Sequence, residues 1–265
     1  MKPCHLQLAA AVLLGLVAAG VAGQEHAPAP VRVAASDGLQ AVMPELQEGF
    51  TEWSGLELSV TYGASGVLSE QIEKGSSYDV FLAADMEGPR KLTAHHLAEK
   101  NSLFRYAVGR LVLWAPNSGH LDLRSWDMQS LLQPSVNKIA VSDPQHDAYG
   151  QAAIAALKRL KLYAQVAPKL LLCESNSQAA RRTESGEAQV AFLPLALVFA
   201  AKSKLQGTYF QVPIDAYPPL DQGAVVLAKA QNREAAEKFT QYLRRLATSQ
   251  IFKKYGFVEP PNLGQ

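Results

Sequence analysis

From Val31 onward, short apolar runs alternate with stretches in which apolar residues return every three or four positions. Val31–Ala35 reads as a strand, and Gly38–Trp53 as a helix with Leu39, Val42, Met43, Leu46 and Phe50 on one face. Leu56–Tyr62 is strand-like, and Val67–Lys74 is a helix closed by Gly75. Tyr78–Ala83, with Asp85 just beyond it, is nearly continuously apolar, as in a parallel strand covered on both faces. Tyr106–Trp114, Lys138–Ser142, Lys169–Cys173, Val190–Leu193 and Gly223–Lys229 read as further strands. Gln151–Leu162, Gln178–Ser185 (closed by Gly186), Leu195–Lys202, the amphipathic Arg233–Ala247 and a short Gln250–Tyr255 read as helices.

Strand–helix alternation predicts an α/β fold with mostly parallel sheets. About 240 residues is long for one open sheet, so two lobes are expected. The chain has natural crossing points near Val108-Gly109 and within Val212–Asp221, where Pro213, Pro218 and Pro219 cluster. This assigns 31–107 to the first lobe, 108–212 to the second, and 213–265 to a return into the first. The result is a hinged pair of lobes with a cleft between them.

The first 23 residues stand apart. Lys2 precedes an apolar run from Leu6 to Val21, and small residues follow it up to Gly23. That is the layout of a cleaved secretory signal peptide, with Gln24–Pro30 as a linker to the fold. The apolar run is short for a membrane span and is broken by glycines. Cys4 precedes it, so no lipid attachment is expected, and Cys173 is left as the one cysteine of the exported chain. A disulfide scaffold and a Cys-based zinc site are both excluded. The 265 residues carry 25 basic and 24 acidic side chains, and loss of Lys2 brings the formal balance to zero. With no basic run, a nucleic-acid partner is not expected.

Four short polar segments precede helices: Ala35–Gly38, Gly63–Gly66, Asp143–Gly150 and Glu174–Ser177. Ser, Asn and Asp at such places ordinarily cap helices. The same unbonded N–H groups and positive helix ends also hold anions, and ligands of open α/β sheets gather at the carboxyl ends of strands. Two such termini from each lobe would make an uncharged cage of N–H and O–H donors suited to a small dianion.

Several stretches, in this order and spacing, carry a resemblance. They are Val-Ala-Ala-Ser at 33–36, Tyr-Gly-Ala-Ser-Gly at 62–66, Gln-Ile-Glu-Lys-Gly at 71–75 and Asp-Val-Phe-Leu-Ala-Ala-Asp at 79–85. Tyr-Ala-Val-Gly-Arg-Leu-Val-Leu-Trp at 106–114, Asp-Pro…Tyr-Gly at 143–150 and Phe-Lys-Lys-Tyr-Gly-Phe at 252–257 add to it. From Val31 to about Phe257 the chain resembles the periplasmic molybdate- and tungstate-binding proteins that serve ABC importers. The resemblance implies a type II periplasmic-binding fold, a tetrahedral oxyanion as ligand, an inner-membrane permease as partner, a periplasmic location, and a monomer with neither cofactor nor direct protein–metal ligands. It implies hydroxyl donors at Ser36 and Ser65 and backbone N–H donors at Tyr149 and Asn176. Many members place a tyrosine hydroxyl where this chain has Pro194, which has no donor. Tyr149 then has two readings. Either its backbone alone contacts the anion, or its hydroxyl replaces the missing donor.

Other arrangements are weaker. Asp143, His146 and Asp147 could be drawn as a metal site, but a solvated loop is the simpler reading. Gly63–Val67 lacks the fifth glycine of a nucleophile elbow. His95-His96, Arg181-Arg182 and Arg244-Arg245 read as solvent-facing, and Asp85 as a helix cap. An enzyme would need an arranged base and nucleophile, and the loops offer only Asp37, Asp143, Asp147, Glu174 and His146. The sequence therefore points to a non-enzymatic receptor for molybdate or tungstate. The alternative is a receptor of the same fold for sulfate or an organic acid, although no loop arginine is present to clamp a carboxylate.

Overall fold

A computed structural model describes residues 29–119, 121–199 and 205–260. The signal segment and most of the linker lie outside the described residues. The first half runs β1 (Val31–Ser36), α1 (Met43–Ser54), β2 (Leu58–Gly63), α2 (Ser65–Glu73), β3 (Val80–Ala83), α3 (Glu87–Ala94), β4 (Phe104–Gly109), β5 (Leu111–Pro116) and α4 (Leu123–Trp126). The second half runs β6 (Ile139–Ser142), α5 (Ala148–Arg159), α6 (Tyr163–Val166), β7 (Leu170–Cys173), α7 (Asn176–Glu184), β8 (Val190–Pro194), α8 (Leu195–Phe199), β9 (Gly207–Gln211), β10 (Leu220–Val226), α9 (Arg233–Leu243) and α10 (Leu246–Lys254).

Two five-stranded sheets result, ordered β2-β1-β3-β10-β4 and β7-β6-β8-β5-β9. Each has three parallel strands at one side. The other two are added antiparallel, through β10 in the first sheet and β5 in the second. Four of the five strands in each sheet thus run the same way, and one, β10 or β5, runs against them, as the expected mostly parallel sheets require. The helix crossovers announce the parallel strands, whereas the antiparallel ones are the segments by which the chain passes between sheets.

The stretch 106–114 expected as one strand is two. β4 ends in the first sheet at Gly109, and β5 begins in the second at Leu111. The Arg110 carbonyl between them accepts from Leu195 N–H at 2.8 Å, which turns the chain out of the first ladder.

Both sheets bury both faces, and this explains the apolar runs. In β1, Val31, Val33 and Ala35 pack under α1, α9 and α10, while Ala34 faces Leu68, Ile72 and Leu92 on the other side. In β3, Val80 and Leu82 take the first face and Phe81 and Ala83 the second. Burying each large side chain here contributes about 1.5–3 kcal/mol. Arg32 pins the start of β1 to buried Asp79, with Nη2 2.7 Å from Oδ1.

Helix boundaries shift for local reasons. α1 starts at Met43, not Gly38, because Pro44 fits a first turn and has no N–H for an interior one. A separate single turn occupies Asp37–Leu39. The long C-terminal helix breaks after Leu243, where the Thr248 hydroxyl donates to the Tyr242 carbonyl at 2.6 Å and α10 starts afresh at Leu246. α5 and α7 each begin two or three residues earlier than the periodicity suggests, at Ala148 and Asn176. The rest of the expected Leu195–Lys202 helix beyond Phe199 lies outside the described residues. Arg244 does not face water freely, since its guanidinium lies 4.0 Å from the centre of the Phe104 ring. Among the described residues, no helix is long and apolar enough to cross a membrane.

Candidate functional site

The parallel strands of the two sheets end toward each other. β1 and β2 end side by side at Ser36 and Gly63, and β6 and β7 at Ser142 and Cys173. Across the gap, Gly66 N–H in the first turn of α2 donates to the His146 carbonyl at 2.8 Å. A Cβ on Gly66 would meet that oxygen at 2.7 Å, so glycine is what lets the two backbones touch. Gly38 packs against Pro194 and the Tyr149 ring. Backbone meets backbone at the mouth, and side chains meet inside it.

Ser36 and Ser65 both lie buried at this convergence. Neither is a helix cap: Ser36 makes no capping bond, and α2 begins at Ser65 after an uncapping Ala64. The Ser65 hydroxyl accepts from Ala84 N–H at 2.8 Å, which ties α2 to the end of β3 and leaves its own proton to donate. The Ser36 hydroxyl has no hydrogen-bond partner at all. Such a group is costly unless something fills the role of partner.

Tyr149 is fully buried at the start of α5. Its backbone N–H is taken by the Asp147 carboxylate, whose Oδ1 accepts from Tyr149 N at 2.9 Å and Gly150 N at 3.1 Å. Asp147 is the N-cap of α5, and it satisfies the N–H expected to contact an anion. The Tyr149 hydroxyl, by contrast, accepts from Gln222 Nε2 at 2.8 Å and keeps a proton to donate. It lies against Gly109, where a Cβ would collide with it, so the hinge glycine makes room for the ring. Burial holds the hydroxyl well above the usual phenol range, and it stays a neutral donor.

Asn176 is fully buried, and its side chain rather than its backbone is prominent. Nδ2 donates to Asp37 Oδ1 at 2.9 Å and to Asp147 Oδ2 at 3.0 Å. The Ser142 hydroxyl donates to Asp147 Oδ1 at 2.6 Å and approaches Asn176 Oδ1 at 3.1 Å. Ser177 N–H, in the first turn of α7, goes to Asp37 Oδ2 at 2.7 Å. The start of α7 is capped by the Ser175 hydroxyl instead.

The expected uncharged cage therefore contains two buried carboxylates, Asp37 and Asp147, in place of loop residues open to solvent. Burial pushes the Asp37 carboxyl up, and the Asn176 amide and Ser177 donors only partly offset this. Burial, and then the charge of Asp37, push Asp147 up to about 7. The one signal available in the sequence is an Asp in each of two pre-helix segments, Asp37 beside Ser36 and Asp147 two residues before Tyr149. Asp147 is correspondingly not part of a solvated loop, though Asp143 and His146 are partly exposed and 3.2 Å apart. Among the described residues, no group of three or more His, Cys, Asp or Glu is placed to hold a metal. Cys173 is buried. Asp85 accepts from Gly88 N–H at 2.7 Å in the first turn of α3.

The family model described as bacterial extracellular solute-binding protein matches residues 31–258. The molybdate-binding protein ModA of Rhodobacter capsulatus is 32% identical over 250 residues, 94% of each chain. ModA of Azotobacter vinelandii is 31% identical over 246 residues, covering 92% of this chain and 96% of that one. The solved periplasmic molybdate-binding protein of Azotobacter vinelandii superposes with a TM-score of 0.81 at 29% identity, over 87% of this chain and 100% of that one.

Proposed function

The chain belongs to the bacterial extracellular solute-binding protein family, and from that premise we propose that it is a periplasmic receptor for molybdate or tungstate. The receptor captures the oxyanion between its lobes and delivers it to an inner-membrane ABC importer. It does so without catalysis or cofactor, as a monomer exported through its N-terminal signal segment. The observation that carries this reading is the Ser36 hydroxyl, buried and unbonded where the strand ends of both lobes converge. A donor so placed is matched by an oxyanion oxygen.

Ser65 and the Tyr149 hydroxyl supply further donors to the ligand from the neighbouring α2 and α5 starts. The Tyr149 hydroxyl takes the part that Pro194 cannot. The α7 start contributes through Asn176 and Ser177. The similarity of the whole fold to molybdate-binding relatives supports the ligand class. The absence of arginine from the four loops argues against an organic carboxylate.

The test is a calorimetric titration of the purified exported chain against molybdate, tungstate, sulfate and phosphate. The reading expects molybdate and tungstate to bind roughly a hundredfold or more tighter than sulfate, about 2.7 kcal/mol of discrimination. Sulfate or an organic acid binding as tightly would replace it with the alternative receptor.

A further inference from the structure

Asp37 stands in the cleft as an anion would. It belongs to the segment after β1, yet both its oxygens are held by the other lobe. Oδ2 takes Ser177 N–H at 2.7 Å and Oδ1 takes Asn176 Nδ2 at 2.9 Å. Asn176 Nδ2 also serves Asp147 Oδ2 at 3.0 Å, so one amide links two buried carboxylates. Immediately before Asp37, the Ser36 hydroxyl is buried without a partner.

We propose that Asp37 is an internal anion of the cleft: its carboxylate bridges the lobes through the α7 donors, and an oxyanion gains those donors only as the Asp37–Asp147 pair takes up one proton. The proposal rests on the receptor reading above and adds the terms on which the ligand enters.

Two anions cannot share one dry set of donors without a large electrostatic cost. Withdrawing donors from Asp37 while bringing a dianion beside it raises the affinity of the pair for a proton. The proton comes from solvent and lands on a carboxyl oxygen of the pair, so the site gains one net negative charge per dianion bound. The new O–H is itself a donor, which converts a repelling acceptor into part of the cage.

The groups facing the pair are Asn176 and Ser177 from α7, Ser142 from β6, and Tyr149 from α5. α8 presents only apolar residues. Arg181 and Glu184 of α7, with Glu45 and Glu48 of α1, line the hollow outside Ser177. At the mouth, His146 Nε2 lies 3.6 Å from Glu70 Oε1 of the other lobe.

The experiment has two arms. In the first, sodium molybdate is titrated at pH 7 and pH 8 in two buffers of different ionisation heat, against the parent, Asp37→Asn and His146→Gln. The parent is expected to bind about fivefold tighter at pH 7 than at pH 8 and to take up close to one proton at pH 8. Asp37→Asn is expected to lose both effects and to bind at pH 8 tenfold or more tighter than the parent. His146→Gln is expected to keep the parental slope. A parent without pH dependence, or an Asp37→Asn variant with the parental slope, overturns the proposal. In the second arm, scattering of the ligand-free Asp37→Ala protein is expected to give a larger radius of gyration than the parent, with Asp37→Asn as the milder variant. Equal radii in all three overturn the bridge. Failure of every form to bind molybdate or tungstate would sink the receptor reading and the displacement step together, while scattering still decides the bridge.

Discussion

Gln222 Nε2 donates to the Tyr149 hydroxyl at 2.8 Å, and through that bond the returning strand β10 meets the first turn of α5. The other end of the same amide accepts from the Tyr106 hydroxyl at 2.9 Å. Tyr149→Phe leaves Gln222 Nε2 buried without its acceptor, so the ligand-free protein should lose about 1–3 kcal/mol of stability. If the hydroxyl also donates to the oxyanion, molybdate affinity should fall by roughly ten- to 150-fold. Denaturant unfolding and calorimetry read the two effects separately. An affinity within twofold of the parent would leave the ring as no more than cleft wall.

The two serines should part company on stability. Ser36→Ala removes a hydroxyl with no protein partner, so unfolding of the ligand-free protein should stay within about 0.5 kcal/mol of the parent or rise slightly. Ser65→Ala strands Ala84 N–H and should cost about 1 kcal/mol or more. Both should weaken molybdate roughly tenfold or more if each hydroxyl serves a charged oxygen. A Ser36→Ala protein that melts early and binds normally would remove Ser36 from the site.

Gly66→Ala tests the backbone contact at the mouth. The added Cβ would lie 2.7 Å from the His146 carbonyl oxygen, and backbone there cannot yield cheaply. The lobes should be held apart, giving a larger radius of gyration with saturating molybdate than the parent shows, together with a raised Kd. Gly75, which closes α2 at φ +97° with open space around it, is far from the mouth, and its replacement should strain only the helix end.

The buried carboxylates fix a sign for stability against pH. Asp147 is raised to about 7 in the folded chain, above its unfolded value. The folded state therefore binds more protons than the unfolded state between the ordinary carboxylate range and about pH 7. Stability from this pair is greatest at the acid end of that window and is lost as pH rises through it. Unfolding by urea should give a free energy lower at pH 8 than at pH 5.5, by on the order of a few kcal/mol. Asp37→Asn removes the like charge and should flatten the difference. A parent equally stable at both values would show that the pair is better solvated than its burial implies.

Asp147→Asn and Asp147→Ala should also separate. Asparagine can still cap α5 through its carbonyl oxygen, whereas alanine leaves Tyr149 and Gly150 N–H without an acceptor. Thermal melts should place Ala about 1–2 kcal/mol below Asn.

Much of the fold was legible in the sequence because its signals are local. The apolar run at Tyr78–Ala83 announced a strand covered on both faces, found at Val80–Ala83, and the helix expected at Val67–Lys74, closed by a left-handed Gly75, is found from Ser65 to Glu73. The polar segments before α2, α5 and α7 marked where strand ends and helix starts would gather, and Ser36 and Ser65 fell at that gathering. What a local pattern cannot carry is the partner of a polar group. Asp37 meets Asn176 and Ser177 across 139 and 140 residues of chain, and no periodicity encodes that pairing. Tyr149 N–H looked free to meet an anion until Asp147, two residues away, turned inward to claim it. The crossing near Val108-Gly109 was legible, and the chain does change sheets there; what the pattern of 106–114 did not carry is that one strand-like stretch divides into β4 and β5, with the Arg110 carbonyl between them bonded to Leu195 N–H. Sequence determined which faces are buried, because hydrophobic burial depends on residue type at regular spacing. Tertiary structure alone decided which buried polar groups face one another, because that depends on distances between segments the chain brings together last.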